Sequence, residues 1–423
     1  MKTSVHNLHP IKLLIGICLS LTACSENNSF NEPQDAIDGY AIETKFNKWK
    51  IFDLDGKGAF EDKMLTDDSG HQFRGKQISF KEYVSASVNG FYKIGHPSYA
   101  KEKFLLSKEL DSDGKQIILG PYEDVGMFYE DITPAVKKGE SIIYINKKGE
   151  TVFDLNERTG LKVKHARNFM GGLSVIGIST KEGIPLYGAI NTKGETVIEP
   201  KYFELKYFGS GLYYAIDAQK IKENDSGEWD VEILDNTGKM MFTFKKKDYH
   251  IYQNNGTTAP FFFTFKDGYG ILSDYSGRKW IIVNRKGEEL LKSDGTKILL
   301  KDCRASKYFA FRESESTLEG IMDINGDIVI PAQYQSIVWL NKDMFCGVKD
   351  IDNMEVCNYK GKQFFSHSHE KIIPFKDNYS IIISQGLCEF INTKGEVINR
   401  TQLYGGFNYY DSELIEEIWS DLR

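Results

Sequence analysis

Ile190-Asn191-Thr192-Lys193-Gly194-Glu195-Thr196-Val197-Ile198 lines up an apolar residue, a carboxamide, two variable residues, a glycine and a second β-branched run. Each part has a conformational role. Asn or Asp at the head of a turn accepts hydrogen bonds from backbone N–H groups two residues on. The two middle residues suit a type I turn. The glycine takes the left-handed conformation that a Cβ would penalise. The flanking β-branched and aromatic residues are those that strands prefer. The stretch therefore reads as a β-hairpin.

The signature recurs at Asp53–Gly56, Asp111–Gly114, Asn146–Gly149, Asp235–Gly238, Asn284–Gly287, Asp323–Gly326, Asn358–Gly361 and Asn392–Gly395. Successive glycines lie 58, 35, 45, 44, 49, 39, 35 and 34 residues apart. A recurrence of this length marks a repeat architecture, with room in each unit for a few short strands. The longest gap accommodates a divergent unit around Phe80–Ser107. The expectation is an all-β array of antiparallel hairpin units over residues 37–410, with about eight to ten units. A closed, propeller-like arrangement is favoured because closure removes edge strands; an open β-solenoid is the alternative. Leu414, Ile415, Ile418, Trp419 and Leu422 fall at helical spacing after Asp411-Ser412, which predicts a short amphipathic helix over 411–423.

A second pattern follows several turns. Pro then Tyr occurs in Gly120-Pro121-Tyr122, Glu199-Pro200-Lys201-Tyr202 and Ile330-Pro331-Ala332-Gln333-Tyr334. Seven residues before the turn glycine stand Trp49, Tyr187 and Trp280, and six before it stand Gly188 and Gly320. Together these residues resemble the WG repeat, a family of β-rich units found mainly in bacteria. The clearest matches are Tyr187–Tyr202 and Gly320–Tyr334. Trp49 and Trp280 keep the aromatic but are followed by Lys50 and Ile281, not glycine. The resemblance spans most of residues 40–400 in degenerate form. It implies architecture, and the family has no shared catalytic residues to carry over.

The N-terminus has a different character. Lys2 and Lys12 precede the apolar run Leu13–Leu19, which closes on Leu21-Thr22-Ala23-Cys24. The run is too short to span a bilayer and reads as an export signal over residues 1–23. Its ending resembles the lipobox of bacterial lipoprotein precursors. That resemblance implies cleavage between Ala23 and Cys24 and lipid attachment at Cys24. Ser25, standing where that family uses Asp for retention, implies the outer membrane of a Gram-negative envelope. Residues 24–36 are polar and aperiodic and read as a flexible tether reaching about 20 Å.

Without Lys2 and Lys12, 51 basic residues face 60 acidic ones, a net charge of −9. The densest basic run is only Lys245-Lys246-Lys247, so nucleic acid is not an expected partner. Asp53-Leu54-Asp55-Gly56 and Asp111-Ser112-Asp113-Gly114 look like fragments of a calcium loop. Other units place Lys in the same slots, however, and these stretches read as turns. His367 and His369 would share one side of a strand, but spacing names no third ligand. No metal or other cofactor is expected. Cys346 and Cys357 flank the polar turn Lys349–Asn353; centring a hairpin there sets them opposite each other, within reach of a disulfide that an exported compartment permits. The alternative is two reduced, half-buried thiols. Cys303 and Cys388 either pair or stay free.

No nucleophile elbow, phosphate-cradling loop or His-Glu-x-x-His is present. The function expected is a non-enzymatic protein-interaction or scaffold module held to the membrane by its N-terminal lipid, with a protein partner in the envelope. One alternative is glycan or peptidoglycan binding through exposed Tyr and Trp. The other is a hydrolase using an Asp/Glu pair, which sequence does not single out.

Overall fold

The computed structural model describes residues 37–53, 64–66, 72–74, 83–95, 104–109, 116–245, 265–303, 308–404, 407–408 and 418–419, apart from short gaps within these spans. The signal, Ala23, Cys24, the tether and the turns at Gly56 and Gly114 lie outside the described residues, as does His369.

Strands account for nearly all of the regular structure, and all of their pairings are antiparallel. β1 (Ile37–Lys45) pairs with β2 (Lys48–Asp53), and β3 (Met64–Thr66) with β4 (Gln72–Arg74). β5 (Tyr83–Val84), β7 (Tyr92–Gly95), β8 (Phe104–Glu109) and β9 (Gln116–Tyr122) form one sheet, while β6 (Ser87–Val88) pairs with β1. β10 (Asp124–Val125), β11 (Ile132–Val136), β12 (Ile142–Asn146) and β13 (Thr151–Asp154) form the next, followed by α1 (Leu155–Thr159). β14 (Val163–Met170), β15 (Leu173–Ser179), β16 (Pro185–Asn191) and the first half of β17 (Thr196–Gly209) make a third unit. The second half of β17 opens a fourth with β18 (Leu212–Asp217), α2 (Ala218–Glu223), β19 (Asp230–Asp235) and β20 (Met240–Lys245). β21 (Tyr269–Ser273), β22 (Trp280–Asn284) and β23 (Glu289–Lys292) form the fifth. β24 (Lys297–Cys303), β25 (Tyr308–Glu313), β26 (Glu319–Asp323) and β27 (Ile328–Tyr334) form the sixth. The seventh comprises β28 (Ser336–Trp339), β29 (Met344–Asp350), β30 (Asn353–Asn358) and β31 (Gln363–His367). The eighth is β32 (Lys371–Ile372), β33 (Tyr379–Ser384), β34 (Leu387–Asn392) and β35 (Val397–Gln402). The chain then returns to its start: β36 (Phe407–Asn408) pairs with β1, Ile42 opposite Phe407.

Apolar side chains from facing sheets bury one another and fix the order of the units. Ile145 and Phe91 share a cluster between the first and second sheets, and Tyr144 and Phe169 one between the second and third. Further along, Tyr213, Phe265, Phe311, Trp339 and Ile382 each anchor the contact of their unit with a neighbour. Tyr40 and Ile42 of β1 pack with Ile381 and Phe390 of the eighth unit. On the other side of β1, Ile37 pairs with Val88, which belongs to the first sheet's cluster. The last unit thus meets the first, and the array closes into a propeller-like ring. Such closure leaves each sheet only its inner and outer strand edges.

The repeat signature is a turn in each of seven described units. At Asn191, the Gly194 amide donates to its carbonyl (2.9 Å), while its Oδ1 accepts from the amides of Lys193 (2.9 Å) and Glu195 (3.1 Å). Gly194 sits at φ +77°. Asn146–Gly149, Asn284–Gly287, Asp323–Gly326 and Asn392–Gly395 repeat this geometry, as do Asp235–Gly238 and Asn358–Gly361. Replacing Asn191 by Ala removes both side-chain acceptor bonds and is expected to cost about 1 kcal/mol in thermal unfolding. Asn191→Asp keeps the acceptor but loses the Nδ2 bond to Glu195 Oε2 (2.8 Å) and sets two carboxylates together, so it is expected to recover only part of that cost.

Two expectations are corrected. Ile418 and Trp419, placed in a helix by their spacing, form β37 (Ile418–Trp419) against β14, with Trp419 opposite His165. The rest of 411–423 lies outside the described residues. A short helix must nucleate with few hydrogen bonds, whereas the open edge of β14 supplies them ready-made. Cys346 and Cys357 are both unbridged thiols. The hairpin turn pairs Asp350 with Asn353, a register that would set Cys346 opposite Cys357. A bulge between Val348 and Asp350 moves the register by one, so Cys346 faces Val356 and Cys357 faces Phe345. In a pleated sheet a one-residue slip sends the two side chains to opposite faces. Cys346 accordingly packs toward the eighth unit and Cys357 toward the sixth. Cys388 is likewise a buried free thiol.

Candidate functional site

Antiparallel strands give the ring two faces. One carries the Asn/Asp–Gly turns. The other carries the connections into the third strand of each unit and from the fourth strand to the next unit. The two WG-like segments build matching polar clusters on this second face.

The first cluster starts at Gly188. A Cβ there would lie 2.4 Å from the Ile198 carbonyl oxygen and 2.7 Å from the Pro200 nitrogen. The bare glycine lets β17 bulge toward β16: Tyr187 pairs with Tyr202 and Ala189 with Ile198, leaving two extra residues on β17. Pro200 fits this bulge because it has no N–H to leave unpaired. The bulge delivers Tyr202 into the next unit, where its hydroxyl donates to Glu232 Oε2 at 3.2 Å. Lys220 of α2 donates to Glu232 Oε1 at 2.5 Å. Lys201 pairs with Asp217 at 3.1 Å and lies 4.8 Å from the Tyr202 ring centroid.

The second cluster repeats this plan. A Cβ on Gly320 would lie 2.7 Å from the Ile330 carbonyl oxygen and 2.8 Å from the Ala332 nitrogen. Tyr334 donates to Glu355 Oε2 at 3.3 Å, and Lys349 donates to Glu355 Oε1 at 2.6 Å. The glutamates occupy the same place, three residues before the turn residue. Glu389 stands there in the eighth unit and pairs with Arg400 at 2.7 Å.

Burial, reinforced by the neighbouring Glu232 charge, raises the Tyr202 hydroxyl above its ordinary value. Burial and the neighbouring Cys357 and Glu355 do the same at Tyr334. Both hydroxyls therefore remain donors at physiological pH. The hydrogen bond to Glu232 raises Lys220 and keeps it charged. Burial works against the charge of Asp217, but the Gln219 amide and the Lys201 ammonium outweigh it and hold the carboxyl below its usual value. A depressed carboxylate contributes stability that is complete above its unfolded pKa of about 3.9 and is lost as pH falls through the folded value. Asp217→Asn should therefore lower the melting temperature at neutral pH and flatten the acid limb of the stability curve below about pH 4.

Each of these glutamates already faces an ammonium or guanidinium, so a metal cation gains little there. Among the described residues, no three His, Cys, Asp or Glu gather as a metal centre would need. The sequence pattern pointed to Tyr202 and Tyr334 through the Pro–Tyr spacing and to the turn residues, which line the opposite face. It did not single out Glu232, Glu355, Lys220 or Lys349. Their signal was available: a glutamate three residues before the turn, where other units carry Gly, Ile or Lys.

Residues 187–216 and 320–346 match the WG containing repeat family. The chain thus carries WG repeats at these two places, and each contains the glycine and tyrosine of one cluster. No curated protein matches the sequence. Among solved structures, a eukaryotic initiation factor is similar at 9% identity and TM-score 0.47, over 87% of this chain and 96% of that one. BamB from Moraxella catarrhalis is similar at 13% identity and TM-score 0.34, over 71% and 90%. Apo AztD from Citrobacter koseri is similar at 10% identity and TM-score 0.36, over 88% and 97%.

Proposed function

We propose that this chain is an outer-membrane lipoprotein, anchored through Cys24, whose ring of degenerate WG-like units serves as a non-enzymatic platform for a protein partner in the envelope. The observation that carries this reading is the pair of Tyr–Glu–Lys clusters on one face of the ring. Their carboxylates are neutralised by Lys220 and Lys349, and their ammonium groups remain partly exposed at the surface. Fixed, internally paired polar groups on a closed scaffold recognise a surface better than they move protons. The test is crosslinking in detergent-solubilised envelopes with the lipidated full chain. A discrete protein should be recovered with the wild type and lost with Lys220→Glu and Lys349→Glu, each checked for an unchanged circular dichroism spectrum. Recovery of the bait alone would remove the reading.

A glycan ligand has one observation in its favour: Phe203 is 45% exposed beside Lys201 and Tyr202. Titration with peptidoglycan fragments, with and without Phe203→Ala, tests that alternative. For a hydrolase, the described carboxyl pushed upward is Glu130, by burial, against the opposing hydrogen bond from the Gly172 amide. Glu130→Gln in an envelope-glycan hydrolysis assay tests that third reading.

A further inference from the structure

We infer that the face bearing the Asn/Asp–Gly turns lies against a phospholipid bilayer, so that the Tyr–Glu–Lys face points away from it. The inference rests on the proposed lipid anchor at Cys24.

The first ground is where the chain enters the ring. In the other units the second strand begins opposite the turn residue: Leu173 faces Asn191, Tyr308 faces Asp323 and Tyr379 faces Asn392. Gly39 of β1 faces Asp53 in the same way. Ile37 therefore starts at the turn face. From Cys24 to Ile37 the tether is short, spanning about 20 Å as a coil. Presenting the opposite face would require it to cross the depth of the ring, about 20 Å of strand, as well as part of the ring's radius. The lipid thus holds the turn face nearest the membrane.

The second ground is what that face exposes. Lys148, Lys193, Lys286, Lys360 and Lys394 occupy the third position of five described turns, and all five are exposed. Just past the turn glycines, on the outer strands, stand Val152, Met240, Leu290, Ile328, Phe364 and Val397, each 38–54% exposed. Apolar side chains beside lysine stems are the chemistry of an interfacial surface. Glu150, Glu195, Glu288 and Glu396 follow four of these five turns and offset much of the charge. The opposite face exposes Ile184, Phe203, Leu318 and Leu387 to a similar degree, so the anchor, more than apolar contact or charge, selects the turn face. The occupant is a bilayer surface, and no protein partner is needed to cover this rim.

The test uses the lipidated full chain on vesicles of phosphatidylethanolamine and phosphatidylglycerol. Lysine acetylation is read residue by residue by mass spectrometry and compared with the detergent-solubilised chain. Lys148, Lys193, Lys286, Lys360 and Lys394 should be labelled several-fold more slowly on vesicles, while Lys201, Lys220 and Lys349 keep their rates. Leu290→Ser with Phe364→Ser, both exposed positions, should restore part of the turn-face labelling. Flotation with vesicles, compared with Cys24→Ala, reads the anchor separately. If the chain floats but its turn lysines label as in detergent, or the opposite face is shielded instead, the inference falls and the anchor stands. A chain that does not float overturns both.

Discussion

Gly188→Ala is expected to destabilise the ring by about 3 kcal/mol, an unusually large effect for one methyl group. The new Cβ would sit 2.4 Å from the Ile198 carbonyl oxygen and 2.7 Å from the Pro200 nitrogen, both main-chain atoms that cannot rotate aside. Gly188 is not among the glycines at positive φ, so the cost comes from contact and not from dihedral strain. Gly139→Ala is the matched control: its φ is +73° with nothing within 4 Å of the added atom. That change should cost about 1 kcal/mol, the penalty for a left-handed residue. Gly320→Ala, with its nearest backbone contact at 2.7 Å, should fall between the two. Thermal and urea unfolding measure all three. If Gly188→Ala unfolds with Gly139→Ala, the bulge is not what the glycine protects. Tyr202 should also lose its bond to Glu232, because the bulge is what carries it into the next unit.

These glycines show where local pattern carries structural information and where it stops. The turn signature is legible because all its hydrogen bonds close within five residues, so Asn191, Gly194 and their counterparts could be placed from spacing alone. Unit number and strand type follow from the same spacing. Register over a longer span does not: the bulge at Val348 and Asp350 is decided by packing on both faces of the sheet, and it separates Cys346 from Cys357. Ile418 and Trp419 fail as a helix for a similar reason, since the β14 edge that captures them lies some 250 residues earlier in the chain. The Tyr–Glu–Lys clusters were half visible. The tyrosines fall within the repeat pattern, whereas Glu232 and Glu355 acquire meaning only when the preceding unit is known to lie alongside.

Closure is the property least accessible to local reading, and Ile42→Ala tests it. Ile42 is fully buried, pairs with Phe407 near the other end of the chain and packs among Ile381, Ile383 and Phe390. In a closed ring no unit is terminal, so a cavity here should cost what it costs elsewhere, about 2–5 kcal/mol. Ile282, equally buried in the fifth unit, supplies the mid-ring comparison through Ile282→Ala. An open array would behave differently. Its end unit would fray at low cost, and a cavity there would leave the main unfolding transition almost unmoved. Equal downward shifts of the main transition in Ile42→Ala and Ile282→Ala are therefore expected, with amide exchange in β1 rising toward the global rate. An unshifted transition with early exchange confined to β1 and β2 would mean that the two ends meet without closing the ring. Closure also bears on the membrane-facing geometry. Only if β1 is locked between the eighth unit and the first does a lipid at the N-terminus fix the tilt of the whole ring, rather than of one loose hairpin.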